Sequence, residues 1–246
     1  NDLKVLEIRV EEKATGEIMA GAGVGTDGTS FQFAVSENNW LGRGVKLESL
    51  LNLSTEKISG NILINNPNYN YSGNEIRFTA QSTKTSKMTT FGYDSSKTGF
   101  SLGTTFEQYE DIYISPTLSI NHEDIVAEGT ASDSIKKMDG TYFNSDFTYG
   151  ITLDKRNQSW QPTEGYLASF FQSLPLIQDS SSLLNGVDFS SYHTISEDVI
   201  GSFKFFARTI HGIDDNVRLT NRLFLPRKKL RGFNTYKVGP KDGEDY

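Results

Sequence analysis

Ile112-Tyr113-Ile114-Ser115-Pro116-Thr117-Leu118-Ser119-Ile120 and Phe143-Asn144-Ser145-Asp146-Phe147-Thr148-Tyr149-Gly150-Ile151-Thr152-Leu153-Asp154 decide the fold. In the first stretch Ile112, Ile114, Pro116, Leu118 and Ile120 fall on one face. Tyr113, Ser115, Thr117 and Ser119 fall on the other. In the second, Phe143, Phe147, Tyr149, Ile151 and Leu153 share a face on which only Ser145 is polar. Its opposite face reads Asn144, Asp146, Thr148, Gly150, Thr152, Asp154. A period of two over this length predicts a strand with one apolar and one polar face. The same period recurs at Phe31–Val35, Val45–Leu53, Ile62–Ile64, Ile76–Ala80, Phe100–Phe106 and Phe203–Ala207. It is weaker at 165–175 and 186–196. With 17–25, roughly eleven strands are expected and no helix.

What covers the apolar face then separates two architectures. A soluble β-sandwich turns it inward, on strands of about 5–6 residues. A membrane barrel turns it to lipid, on strands of about 9–11 residues. Several runs here have the membrane length. Short turns alternate with longer polar connections, such as 122–140 and everything after 211, so long loops are expected on one side only. Hydrophobic residues make up 36% of 246, yet there are 16 Phe and 11 Tyr. A wet lumen behind a greasy exterior accounts for both values. The fold class expected is therefore all-β, a transmembrane antiparallel β-barrel, with a soluble all-β domain as the alternative.

Composition excludes several functions. A net charge of −7 gives no electrostatic ground for binding nucleic acid. The absence of Cys removes disulfides, thiol catalysis and Cys-ligated zinc. No apolar run approaches 18 residues, so no transmembrane helix is expected. The opening residues do not read as a signal peptide, which suggests a cytosolic protein or an internal piece of an exported one. An odd strand number cannot close a bacterial barrel, and open edges in hydrocarbon cost several kcal/mol per unsatisfied group. The chain is thus expected to be part of a longer barrel, with Lys237–Tyr246 in a loop. Leu3–Val10 reads as the last strand of a preceding soluble domain and 11–16 as a hinge.

Specific motifs lie on this pattern. Val10-Glu11-Glu12-Lys13-Ala14-Thr15-Gly16-Glu17-Ile18, followed by Gly21-Ala22-Gly23-Val24-Gly25-Thr26, resembles the junction between the last POTRA domain and the first barrel strand of the BamA family of outer-membrane β-barrel assembly proteins. Ser36-Glu37-Asn38-Asn39-Trp40-Leu41-Gly42-Arg43-Gly44 is similar to that family's first periplasmic turn. Asp154-Lys155-Arg156-Asn157 with Pro162-Thr163-Glu164-Gly165 resembles a later one. Leu230-Arg231-Gly232-Phe233, before Val238-Gly239-Pro240, is similar to the family's signature loop motif, V/I-R-G-F. Leu230 departs from the usual β-branched residue, and Pro226-Arg227-Lys228-Lys229 replaces a Gly-rich approach.

The resemblance implies a sixteen-stranded barrel behind several POTRA domains. Residues 1–15 would end the last of these and form the hinge, and 16–246 would be the N-terminal part of the barrel, ending within the R-G-F loop. That loop would fold back into the lumen. Clients, unfolded outer-membrane proteins, would be inserted at the seam between first and last strands. Further implied partners are accessory lipoproteins and outer-membrane lipid, in the outer membrane of a Gram-negative bacterium. Related translocators, TamA-like or of the two-partner-secretion type, are the nearest alternative; an outer-membrane hydrolase and a passive porin are more distant.

Two sites follow. The strand Glu17-Ile18-Met19-Ala20-Gly21-Ala22-Gly23-Val24-Gly25 is rich in Gly, which weakens a strand and blurs its register. Such a strand suits a seam that opens and pairs with a client by β-augmentation; the alternative is that its glycines serve tight curvature or close packing. Arg231 carries five donors in a planar fork and stays charged. It is expected to pin the loop inside the lumen, with Gly232 permitting close approach, Phe233 wedging beside it, and Asp146 or Asp154 as acidic partners. The other reading is an exposed basic loop from Arg227 to Arg231 against lipid headgroups. Gly99-Phe100-Ser101-Leu102-Gly103 matches G-x-S-x-G, but in a strand rather than the required elbow. Gly23-Val24-Gly25-Thr26-Asp27-Gly28 matches G-x-G-x-x-G, but a strand follows instead of a helix. His122, His193 and His211 are scattered without ligand spacing and are expected in loops or the lumen. No metal, cofactor, nucleotide or covalent catalysis is expected.

Overall fold

A computed structural model of the chain describes residues 7, 9–25, 28–88, 92–129, 131–213, 217–223, 225 and 232. Eleven antiparallel strands form one sheet in which each strand pairs with its sequence neighbours. They are β1 (Gly16–Gly25), β2 (Gly28–Trp40), β3 (Val45–Ser54), β4 (Lys57–Tyr69), β5 (Asn74–Ser86), β6 (Tyr93–Tyr109), β7 (Ile112–Ala127), β8 (Gly140–Asp154), β9 (Gly165–Gln178), β10 (Ser182–Ser196) and β11 (Val199–Gly212). The sheet is open, with β1 and β11 at its edges. Of residues 1–15, those described carry no strand, and most of Leu3–Val10 lies outside the described residues.

Register carries the sequence period across the sheet. Leu47, Ile64, Phe78, Leu102, Leu118, Phe147 and Leu174 stand opposite one another in turn, from β3 to β9. The adjacent row on the other face reads Thr79, Ser101, Ser119, Asp146. The apolar face is the exposed one: Phe31, Phe33, Leu51, Phe78, Phe100, Leu102, Leu118, Ile151, Phe203 and Phe205 all lie open. Among the described residues five polar side chains are buried (Asn121, Glu123, Asn144, Ser145, Arg218), and the buried apolar side chains are Ala34, Ile125, Ala131 and Ile135. Leaving a Phe or Leu side chain in water forgoes about 1.5–3 kcal/mol. A whole belt of them is stable only if another apolar medium covers it, and no second sheet is present among the described residues. This removes the β-sandwich and leaves a barrel wall with hydrocarbon outside and a polar lumen inside.

The outer face has one polar seam of its own. Tyr149 Oη donates to Gln172 Oε1 (2.9 Å), Gln172 Nε2 to Asn185 Oδ1 (2.6 Å), and Asn185 Nδ2 to Thr209 Oγ1 (3.3 Å). Each residue stands directly opposite the next in the register, so the ladder crosses β8 to β11 and satisfies its polar groups internally.

The two rims differ in character. At the rim where the chain enters β1, the strand ends and turns carry Trp40, Tyr69, Tyr71, Tyr109, Trp160 and Tyr166, all exposed. Both tryptophans of the chain are among them. Exposed aromatic residues below an apolar belt mark a membrane–water interface. Two turns here share one construction. Asn39 Oδ1 accepts from Gly44 N (2.7 Å) and Asn68 Oδ1 from Gly73 N (2.8 Å), each placing an aromatic residue after the Asn.

Four sequence expectations change. The long connections do not all lie on one rim: 128–139 is at the far rim, whereas 155–164 is at the entry rim. Residues 122–127 belong to β7, whose polar end had hidden the alternation. One short helix, α1 (Asp133–Lys136), lies in the 128–139 connection; a single turn that buries only Ile135 leaves no helical period in the sequence. The histidines are likewise on strands: His122, His193 and His211 alternate with inward residues on β7, β10 and β11 and share the outer face.

Candidate functional site

The first expected site is an open edge. β1 pairs with β2 from Gly16 opposite Glu37 to Gly25 opposite Gly28, and its other side has no partner among the described residues. Ile18, Ala20, Ala22 and Val24 face outward with Phe31 and Phe33, while Met19, Gly21 and Gly23 face the lumen. Close packing does not require these glycines. A Cβ on Gly21 would meet nothing within 4 Å, and one on Gly23 would meet only Ser30 Oγ at 3.5 Å. The strand is tethered at its start. Asn38 N donates to Thr15 O (3.3 Å), Asn39 N to Glu37 Oε1 (2.8 Å), and Thr15 Oγ1 also donates to Glu37 Oε1. The edge is thus anchored at Thr15 and unencumbered above it.

The loop motif Leu230-Arg231-Gly232-Phe233 lies outside the described residues except for Gly232, which has φ 90°. Its two expected partners are far apart on β8. Asp146 faces the lumen, accepts a hydrogen bond from Gln178 Nε2, and lies within electrostatic range of Lys97 and Arg218. Asp154 ends the strand at the entry rim, where Arg156 occupies both its oxygens (2.8 Å from Nε and 2.8 Å from Nη2).

That bidentate pair is part of a self-stitched 155–164 connection. Asn157 Oδ1 accepts from Thr163 N and Glu164 N (both 3.2 Å), and Thr194 Oγ1 donates to Thr163 O (3.2 Å). Hydrogen bonding to Asp111 and to Asp154 holds the Lys155 and Arg156 pKa values, respectively, above their ordinary levels. Trp160 projects from this connection, 80% exposed.

A buried cluster at the far rim had no sequence signal. Arg218, in the segment after β11, is 4% exposed. Its Nη1 lies 3.4 Å from Glu123 Oε2, its Nη2 donates to Asn144 Oδ1, and its guanidinium sits 4.3 Å over the Tyr142 ring. On β9–β11, Arg208 stacks 4.9 Å over Phe171 and pairs with Asp188 at 2.5 Å, with the Phe171 ring lying against Gly186. Ser101 sits within β6, opposite Ser119, with no strand–turn–helix elbow around it.

Known proteins place this architecture. The Omp85 superfamily domain matches residues 39–246. The outer membrane protein assembly factor BamA of Neorickettsia risticii (strain Illinois) is 25% identical over 252 residues, covering 98% of this chain and 33% of that protein. The chain therefore spans about a third of that curated relative. The crystal structure of BamA from Haemophilus ducreyi lacking POTRA domains 1–3 superposes with a TM-score of 0.67 at 19% identity, over 83% of this chain and 42% of that one. The second likeness shows the fold, and the family match agrees with the resemblance read from the motifs. Lipid-facing strands, a polar lumen and an open edge at β1 meet in one assignment: the chain belongs to the Omp85 superfamily, as a BamA-like stretch of a Gram-negative outer-membrane β-barrel.

Proposed function

We propose that this stretch belongs to a factor that assembles β-barrel proteins into the outer membrane, with β1 as one lip of a lateral seam. The observation that supports this reading is the β1 edge itself. Its backbone groups are unpaired on one side among the described residues, and its glycines leave open space where packing would demand none. An edge of this kind offers N–H and C=O groups to any extended segment, which gives affinity without sequence selectivity. Clients would be unfolded outer-membrane proteins, and the surrounding partners lipid and accessory lipoproteins. Residues 1–15 would complete a POTRA domain, the entry rim would face the periplasm, and Arg231 with Leu230, Gly232 and Phe233 would pin the loop in the lumen. The chemistry asked of the protein is strand pairing, with no covalent step.

Cysteine at Ala20 or Ala22 in the full-length protein tests this. Crosslinks to a client stalled during assembly are expected at both positions, and fewer at Ala34, a buried residue of β2. A stalled client that crosslinks to neither Ala20 nor Ala22 contradicts the reading.

A further inference from the structure

The polar ladder on the outer face of β8–β11 lies where hydrocarbon is expected. On β7 the outward face is apolar from Ile112 to Ile120, and His122 comes next. The run from Ile112 to His122, on a strand tilted by about 40°, rises about 25 Å, the height of an ordinary apolar band. On β10 the outward face reads Ser191, Phe189, Val187, Asn185. Ser191 stands opposite Tyr166, one of the entry-rim aromatics, and only Phe189 and Val187 separate it from Asn185. The run from Ser191 to Asn185 rises only about 15 Å at the same tilt. The apolar band at β10 is therefore about 10 Å shorter than an ordinary one. The row beyond the ladder is mixed, with His211 opposite Leu183.

Each member of the ladder has a partner within it, yet hydrogens are left over. Tyr and Thr carry one donor each, and Asn and Gln two each. The bonds of the ladder use one hydrogen from each of Tyr149, Gln172 and Asn185. One N–H of Gln172, one N–H of Asn185 and the Thr209 O–H make no other bond among the described residues. They stand on adjacent strands, within about 10 Å of one another. A donor left unpaired in hydrocarbon is strongly unfavourable.

We infer that the ladder is a lipid site: it takes the glycerol ester carbonyls of one phospholipid from the leaflet at the far rim. That part of a phospholipid offers acceptors only, its ester carbonyls and the phosphate beyond them, and the ladder has only donors to spare. None of these donors is charged, so the site suits carbonyls rather than a phosphate, which calls for Arg or Lys. His211, beyond Thr209 on the same face, stands at the level of that lipid's phosphate. The acyl chains lie over the apolar rows nearer the entry rim, which carry Phe170, Val187 and Phe205. The site is remote from the β1 edge, and it rests on lipid covering the apolar face rather than on the assembly reading.

Native mass spectrometry of the full-length protein released from lipid nanodiscs tests this with two probes. One is diester phosphatidylethanolamine; the other is its diether analogue, which keeps the phosphate and lacks the carbonyls. The protein is expected to retain a diester lipid about tenfold more than the diether, the ratio for two neutral hydrogen bonds. Gln172→Leu with Asn185→Leu is expected to lower diester retention by the same factor and to leave diether retention unchanged. Thr209→Val, nearly isosteric, is expected to lower diester retention about threefold, the ratio for one such bond, and it carries the test alone if the double variant does not fold. Equal retention of the two lipids by the unaltered protein, or of the diester lipid by the protein and its folded variants, overturns the lipid site. So does a bound polypeptide, in place of lipid, that is lost with the same variants.

Discussion

Gly21→Val with Gly23→Val is expected to slow client assembly about five- to thirtyfold while the barrel stays folded. Valine has the χ1 restriction and shape that suit a pleated strand. Both positions have room for it, since neither Cβ meets anything closer than 3.5 Å. The exchange of Gly for Val in a strand is worth up to about 1 kcal/mol at each site. Two sites give about 1–2 kcal/mol, and 1.4 kcal/mol is a factor of ten. A stiffer β1 specifies its register more firmly and holds the seam closed longer. The measurement is the rate of client folding in vesicles containing the complete complex, with urea unfolding of the variant as the check on the barrel. An unchanged or faster rate in a barrel of equal or greater stability contradicts the seam.

Gly165→Ala is expected to destabilise the 155–164 connection by about 2–4 kcal/mol. Gly165 has φ 91°, in the left-handed region. A Cβ there would lie 2.1 Å from Lys155 O and 2.9 Å from the Arg156 Cα, both backbone atoms that no rotamer change can move. The strand pair would have to part where Lys155 N donates to Tyr166 O (2.8 Å) and Asn157 N to Glu164 O (3.1 Å). Gly129 is the control, because a Cβ there meets nothing within 4 Å and its φ is not left-handed. Limited proteolysis of the full-length protein reads the effect, with faster cleavage within 155–164 for Gly165→Ala and no change for Gly129→Ala. Equal behaviour of the two variants contradicts the tight turn.

The strands were legible because register turns a local alternation into a sheet-wide one. Leu118 and Phe147, each apolar in its own segment, turn out to face each other. The ends of β6 and β7 were harder. Ser96, Thr98, His122 and Asp124 are polar on the outward face, as strand ends beyond the hydrocarbon would be, so no period remains to be seen. The second entry-rim turn carries a sequence signal of its own: Asn68-Tyr69-Asn70-Tyr71-Ser72-Gly73 repeats the Asn-aromatic-x-x-x-Gly of Asn39-Trp40-Leu41-Gly42-Arg43-Gly44. Arg218 was not available in the same way. Its partners Glu123 and Asn144 belong to other strands, and nothing local to Val217-Arg218-Leu219 distinguishes a buried guanidinium from a solvated one. Arg231, chosen from its motif, lies outside the described residues.

Spin labels placed singly at Phe100, Ser101, Leu102, Leu118, Ser119 and Ile120 of the full-length protein in lipid vesicles show what medium lies against each face. Molecular oxygen should reach Phe100, Leu102, Leu118 and Ile120 preferentially, a water-soluble nickel chelate should reach Ser101 and Ser119, and the preference should invert at every residue. Chelate access to the apolar positions, or shielding of them from both reagents, would mean that water or protein rather than lipid covers the apolar face.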